Sequence, residues 1–315
     1  MNAKTATERL DVRGALREGM ARLSEARVPS HSLAAELLLM HALGCDRAWL
    51  YSHPEELLSS ATAEKFVQVV AKRASGVPTQ YLTGRQEFWG LEFEVTPAVL
   101  IPRPETEHVI EVALERLGGE RRGERLQIGD VGTGSGCIGV ALAKELPRAE
   151  IFATDVSAEA LEVARRNAVR HNLADRIHFL QCNLLEGCGG NQHESLLPQR
   201  APHAVPLREA PRFDLIVSNP PYVGKNEEQE LPREVRDHEP PAALFGGPTG
   251  VEIYEQIIDQ AERWLASGGI LVLELGYNSL DHVRGIFESR QGWKDLCVTG
   301  DLAGIARVFS AERTA

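Results

Sequence analysis

The spacing of apolar positions changes along the chain, and the change divides it. Between residues 7 and 75 apolar side chains recur every three to four residues, the period of one helix face. In RVPSHSLAAELLLMHALG, Arg27 to Gly44, Ser30 or Ser32 is placed to cap, an apolar face follows, and Gly44 stops the helix. TAEKFVQVVAKRASG repeats the logic, with Thr62 as the expected cap, Phe66, Val69 and Val70 on one face, and Gly76 as the stop. Residues 1–84 carry no glycine fingerprint and no clustered acid–base pair. They read as a small helical domain that positions something.

Beyond residue 84 the pattern shifts. Phe88, Leu91, Phe93 and Val95 around Gly90 predict a hairpin, followed by a proline-punctuated connection, so 85–104 is assigned as hairpin and linker. From about residue 126 short apolar runs alternate with helical stretches: LQIGDVG, 137–146, EIFATD, 158–172, IHFLQ, FDLIVS, 251–267, ILVLEL and 280–291. This alternation predicts an α/β fold with a parallel sheet covered on both faces, which binds ligands beyond the carboxyl ends of its strands. A catalytic domain over 105–315 is expected. Within it, the Gly-, Pro- and His-rich stretch 187–212 has no periodicity and reads as a mobile surface insertion.

Composition narrows the class. Of the 315 residues, 43% are apolar and 25% charged, the balance of an ordinary globular protein. No stretch approaches the ~20 apolar residues of a membrane span, and MNAKTATERLDVRGALREG lacks the apolar core of a secretory signal. A cytoplasmic protein without a membrane partner is expected. The five cysteines are scattered and odd in number, against a disulfide framework. Cys182 and Cys188, near His193 and His203, fit no usual zinc spacing, so no metal is expected. A formal net charge of −11 argues against holding bare nucleic acid, and no direct DNA contact is expected.

Two short motifs carry chemistry. DVGTGSG, Asp130 to Gly136, ends one strand and opens a helix. Its alternating glycines let the backbone approach a ligand closely. Asp155 ends the next strand, 23 residues after Gly132, where a carboxylate can accept the hydroxyls of an adenosine ribose. GSGCIG, Gly134 to Gly139, matches the dinucleotide pattern only in a frame displaced from the strand end. The frame directly after Asp130 fits S-adenosyl-L-methionine better, because no pyrophosphate has to be cradled. The expected cofactor residues are Asp130, Gly132, Thr133, Gly134, Ser135, Gly136 and Asp155, with Asn183 and Leu184 flanking the adenine and Asn219 bordering the site.

The second motif is Asn219-Pro220-Pro221-Tyr222, at the carboxyl end of the buried strand FDLIVS. Two prolines fix φ and remove two donors, leaving a rigid turn that presents acceptors. The Asn219 side-chain oxygen and the Pro220 carbonyl can take both hydrogens of a planar –NH2 group, aiming its nitrogen at an electrophile. They also stabilise positive charge developing on that nitrogen. Tyr222 can pack against the flat group and exclude water. This is a claw for an amine or amide, and it does not separate adenine N6, cytosine N4 and a glutamine amide.

The helical N-terminal region together with QYLTGRQEFWGLEFEV, LIPRPETE, DVGTGSG, SNPPYV, HEPPAALFGG and LVLELG resembles the bacterial protein-(glutamine-N5) methyltransferases that modify class I peptide chain release factors. IPRPETE, Ile101 to Glu107, is a specific marker; the sister enzymes acting on a ribosomal protein typically differ after the PR. The resemblance implies a seven-stranded, mostly parallel, Rossmann-like S-adenosylmethionine-dependent methyltransferase sheet, with a small N-terminal helical domain and a linking β-hairpin. It implies methyl transfer to the glutamine of the release factor's Gly-Gly-Gln loop, leaving S-adenosyl-L-homocysteine and modulating translation termination. It assigns the cofactor to Gly132 through Gly136, Asp155 and the Asn183–Leu184 pair, and the glutamine amide to Asn219 through Tyr222. Arg103 and Glu105 would support the site, or form a loop salt bridge; Glu274 would support the cofactor pocket, or end a strand. Two departures stand out: the long 187–212 insertion, and Asn183 where an aspartate is common. The competing readings are a ribosomal-protein glutamine methyltransferase, a DNA adenine-N6 methyltransferase, and a non-enzymatic scaffold that binds the cofactor.

Overall fold

The computed structural model describes residues 10–189 and 212–314. The chain forms two compact units, Met1–Arg85 with Pro232–His238, and Gln86–Leu231 with Glu239–Ala315.

The first unit holds α1 (Val12–Glu25), α2 (His31–Leu43), α3 (Arg47–Ser52), α4 (Ser60–Ala74) and α5 (Thr79–Thr83). Their apolar faces meet in a core that includes Val12, Leu23, Leu38, Leu39, Leu50, Phe66 and Val70. Asp11 and Asp46 cap α1 and α3 by accepting backbone N–H bonds from Gly14 and Trp49. Two expected caps differ. Ser59, not Thr62, caps α4, and it does so by accepting from the Thr62 N–H. Ser30 stands at the start of α2 but in a left-handed conformation, so its side chain makes no capping bond. Gly44 ends α2 as expected, with φ 71° and its N–H on the Met40 carbonyl. Residues 232–238 join this unit through Glu234, which pairs at 2.6 Å with Arg73 on α4. Arg73 is buried and needs that partner, because an unpaired guanidinium away from water is costly.

The second unit opens with the hairpin β1 (Arg85–Phe88) and β2 (Leu91–Glu94). Trp89 and Gly90, with φ of 54° and 66°, form the two-residue connection that matches strand twist. Then follow α6 (Glu107–Arg121), β3 (Gln127–Val131), α7 (Cys137–Glu145), β4 (Glu150–Asp155), α8 (Ala158–Arg170), β5 (Ile177–Gln181), β6 (Phe213–Ser218) and β7 (Val223–Gly224). The chain crosses to the first unit as α9 (Arg233–His238) and returns through α10 (Pro241–Leu244) to β8 (Phe245–Gly247). It ends with α11 (Glu252–Trp264), β9 (Leu265–Glu274), α12 (Leu280–Glu288), β10 (Trp293–Gly300) and β11 (Ala306–Arg313).

Seven strands form one sheet in the order β10-β11-β9-β6-β3-β4-β5, parallel except for the pairings of β11 with β9 and β10. Side chains alternate between two cores: Leu215, Val217, Ile270 and Val272 face one, and Ile216, Leu271 and Leu273 the other. After β3, β4 and β5 have been laid in one direction, β6 starts on the opposite side of β3. That reversal places the ligand crevice at the carboxyl ends of β3 and β6, whose last residues, Val131 and Ser218, are partners in register.

The apolar pattern misplaced some boundaries. The helix expected through 267 stops at Trp264, because Leu265 already belongs to β9 and the Ala-Ser-Gly-Gly run lies inside that strand. Strand β10, mostly exposed, has no apolar run to announce it.

Candidate functional site

The crevice is built from four short segments of the second unit. The turn after β3 comes first. Asp130 is fully buried; its Oδ2 accepts from the Thr133 hydroxyl at 2.6 Å and the Gly139 N–H at 3.0 Å. Burial pushes its carboxyl up to about 6 despite those bonds. Gly132 and Gly134 adopt φ of 71° and 55°, and a Cβ on Gly132 would meet nothing within 4 Å. Side chains are missing where the backbone borders open space, which leaves a cradle for a ligand. Gly136 packs against α8, where a Cβ would lie 3.1 Å from that of Ala164.

Asp155 locks onto this turn. Its Oδ2 accepts from Gly134 N–H at 3.0 Å and its Oδ1 from Ser157 N–H at 2.9 Å. Each oxygen keeps a further lone pair. Asn183 and Leu184 follow β5, next to Asp155, whose carbonyl accepts from the Cys182 N–H. Asn183 is exposed and its amide reaches Glu186; Leu184 is half-buried with φ 50°. A buried residue the motifs did not reveal, Asn167 on α8, braces the turn. It donates to the Ser135 and Glu94 carbonyls and accepts from the Glu94 N–H at 2.7 Å. Its one signal in the sequence is an amide within a helix otherwise apolar on that face.

The turn after β6 lies across the crevice. Ser218 donates to the Val131 carbonyl at 2.8 Å, tying the two strand ends together. The Asn219 amide donates through Nδ2 to the Thr106 hydroxyl at 3.0 Å, which leaves Oδ1 as its other end. Tyr222 donates to Glu274 Oε1 at 3.3 Å, and burial first, then that carboxylate, raises the phenol's pKa. Behind the turn, β8 pairs with β7, and Gly246 and Gly250 press against it. A Cβ on Gly246 would collide with the Pro221 carbonyl, and one on Gly250 with the Tyr222 carbonyl.

Glu274 ends β9 and is buried. Burial pushes its carboxyl up to about 7, while the neighbouring Thr106 and Tyr222 hydroxyls pull it down. Glu105 acts on it as a neighbouring like charge, while Arg103 pairs with the buried Glu239. A carboxyl with a raised folded pKa contributes stability below its unfolded pKa and loses it as pH rises through the folded value. Replacing Glu274→Gln is therefore expected to stabilise the ligand-free protein near pH 8 by up to about 3 kcal/mol, and hardly at about pH 5. Urea unfolding at both pH values checks this, and an equal difference at the two would refute it.

Among the described residues no group of three or more His, Cys, Asp and Glu could hold a metal. His193 and His203, and most of the 187–212 stretch, lie outside the described residues. Cys188 is buried with its thiol pushed up to about 12. No described helix is long and apolar enough to cross a membrane.

The seven-stranded sheet with a glycine turn and an acidic strand end at its switch point is that of an S-adenosylmethionine-dependent methyltransferase, and the Methyltransferase domain model matches residues 123–301. The PrmC N-terminal domain model matches residues 14–84. The chain is 42% identical to the release factor glutamine methyltransferase of Koribacter versatilis, covering 95% of this chain and 97% of that one. It is 40% identical to that of Moorella thermoacetica, over 96% and 99%. The chain belongs to the release factor glutamine methyltransferase family. The hMettl16 catalytic domain, solved in complex with MAT2A 3'UTR hairpin 6, shares the fold, with a TM-score of 0.52 at 20% identity over 78% of this chain and 81% of that one.

Proposed function

We propose that this chain methylates the side-chain amide nitrogen of the glutamine in the Gly-Gly-Gln loop of class I peptide release factors, in the cytoplasm and without contacting DNA. The observation that carries the reading is the turn after β6, where Asn219 is held by its Nδ2 and so offers Oδ1. Asn219 Oδ1 and the Pro220 carbonyl take the two hydrogens of the glutamine amide and orient its nitrogen. Tyr222 covers the flat group and keeps water from it.

The open cradle at Gly132 and Gly134, and the Asp130 Oδ1 atom that is buried without a partner, fit S-adenosylmethionine with its cationic amino-acid end. When bound, that cofactor supplies an electrophilic methyl group. Asp155 would accept from the ribose, Thr133 and Ser135 would line the turn, and Asn183 and Leu184 would border the adenine. An amide nitrogen is a weak nucleophile because its lone pair is delocalised. Acceptors fixed on its hydrogens favour the transition state, in which positive charge builds on nitrogen. Transfer would exchange a sulfur–methyl bond for a nitrogen–methyl bond, with one amide proton passing to solvent.

Labelled methyl should pass from S-adenosylmethionine to purified release factor, but neither to its Gly-Gly-Ala variant nor to duplex DNA. Label on the alanine variant or on DNA would overturn the substrate. Asp155→Ala is expected to weaken cofactor binding by about 1.5–3 kcal/mol, the usual worth of hydrogen bonds to a charged group. An unchanged dissociation constant by calorimetry would remove Asp155 from the site.

A further inference from the structure

We infer that Gly276 and Tyr254 are positioning residues that seat the ring of Tyr222, an inference resting on the proposed role of that ring as the cover of the substrate amide. The two prolines before Tyr222 fix the backbone of the turn, yet they leave the tyrosine free about χ1 and χ2. A flat ring that is to lie on a flat amide needs its plane fixed as well. Otherwise each encounter costs the rotamer freedom of the side chain.

The segment that leaves β9 supplies the seat. A Cβ on Gly276 would lie 2.9 Å from Tyr222 Cδ2 and 3.0 Å from its Cγ, closer than non-bonded carbons approach. Those atoms are the root of the ring, which cannot swing aside as the end of a long side chain does. Gly276 does not take a left-handed φ, so the position calls for the missing side chain rather than for backbone freedom. At the other end of the ring the Tyr222 hydroxyl donates to Glu274 Oε1 at 3.3 Å. One short stretch therefore holds the ring at root and tip.

The stretch itself is stapled. Tyr254 on α11 is fully buried, and its hydroxyl donates to the Glu274 carbonyl at 3.0 Å while accepting from the Gly276 N–H at 3.0 Å. Between them, the Leu275 N–H donates to the Arg307 carbonyl on β11 at 2.7 Å. The seat cannot drift from the ring without leaving a backbone group unpaired away from water.

Methyl transfer to release factor is measured with the full chain, beside calorimetry for S-adenosylmethionine. Gly276→Ala should lower kcat by on the order of tenfold, because it displaces the ring, with the cofactor dissociation constant unchanged. Tyr254→Phe, which keeps the aromatic bulk and removes only the staple, should lower kcat as well. The discriminating background is Tyr222→Ala. With the ring gone, the methyl added at 276 meets the Ser279 hydroxyl, which can turn aside, so Gly276→Ala should cost nothing further there. Losses that multiply in the double variant would overturn the seat, as would a parental rate in Gly276→Ala or Tyr254→Phe. Fluorotyrosine incorporated at the five tyrosines gives a second readout that needs no substrate. The fluorine resonance that Tyr222→Ala removes should move in Gly276→Ala and in Tyr254→Phe, and an unmoved resonance would overturn the seat. Tyr222→Ala at the parental rate would instead remove the cover itself from the proposed function, so the two failures are separable.

Discussion

Asn219→Ala is expected to lower kcat on release factor by about 100-fold or more, some 3 kcal/mol of transition-state stabilisation, while cofactor binding changes little. The substitution removes one of the two acceptors proposed for the substrate –NH2 and leaves the rigid Pro220-Pro221 turn in place. The rest of the crevice stands: Ser218 still bonds the Val131 carbonyl, and Asp155 still holds the Gly134 N–H. The loss should therefore fall on turnover rather than on the cofactor. Single-turnover methyl transfer beside calorimetry for S-adenosylmethionine separates the two. Equal single-turnover rates for variant and parent would end the role assigned to Asn219.

A comparable loss is expected from Gly246→Ala, although residue 246 carries no side chain to contribute chemistry. The added methyl has nowhere to go, because its neighbours are the Pro221 and Gly250 carbonyl oxygens, and backbone cannot rotate aside as a side chain does. Either β8 withdraws or the turn that presents Asn219 shifts, and misplacement by about 1 Å costs on the order of 100-fold in a reaction driven by positioning. Overpacking of this kind also lowers stability by about 1–3 kcal/mol. Gly285→Ala makes the control, since a Cβ there meets nothing within 4 Å. Normal kcat in Gly246→Ala would mean that the turn is held by something other than β8.

The sequence exposed the parts of this site that are local. DVGTGSG, the Asp155 strand end and Asn219–Tyr222 are each a strand followed by a turn of special residues, and both signals lie within a few positions. What escaped it is partnership across long separations. Thr106 lies 113 residues from Asn219, and Glu274 lies 52 from Tyr222; nothing in PRPETE or LVLELG announces either bond. Asn167 joins Glu94 across 73 residues and was equally silent. Arg103 and Glu105, which the resemblance left between a site role and a loop salt bridge, divide. Arg103 pairs with Glu239, whereas Glu105 acts on Glu274 through its charge. Strands β10 and β11 pair with each other at the sheet edge, where solvent on β10 blurs the alternation that marked the inner strands.

The excursion of the chain through α9 bears on how such a protein can be cut and rejoined. Residues 225–244 leave from β7 and come back to β8, the strand that backs the turn, and on the way they deliver Glu234 to Arg73. The helical unit is thus not an N-terminal module that can be exchanged at one junction. Removing residues 1–85 would strip α9 of the elements it folds with, and leave the span between two paired strands without its anchor. A graft of a relative's helical unit has to carry that relative's 232–238 segment as well, making three splices instead of one. Any swap that ignores the loop would be read as a failure of recognition when the fault lies in the connectivity.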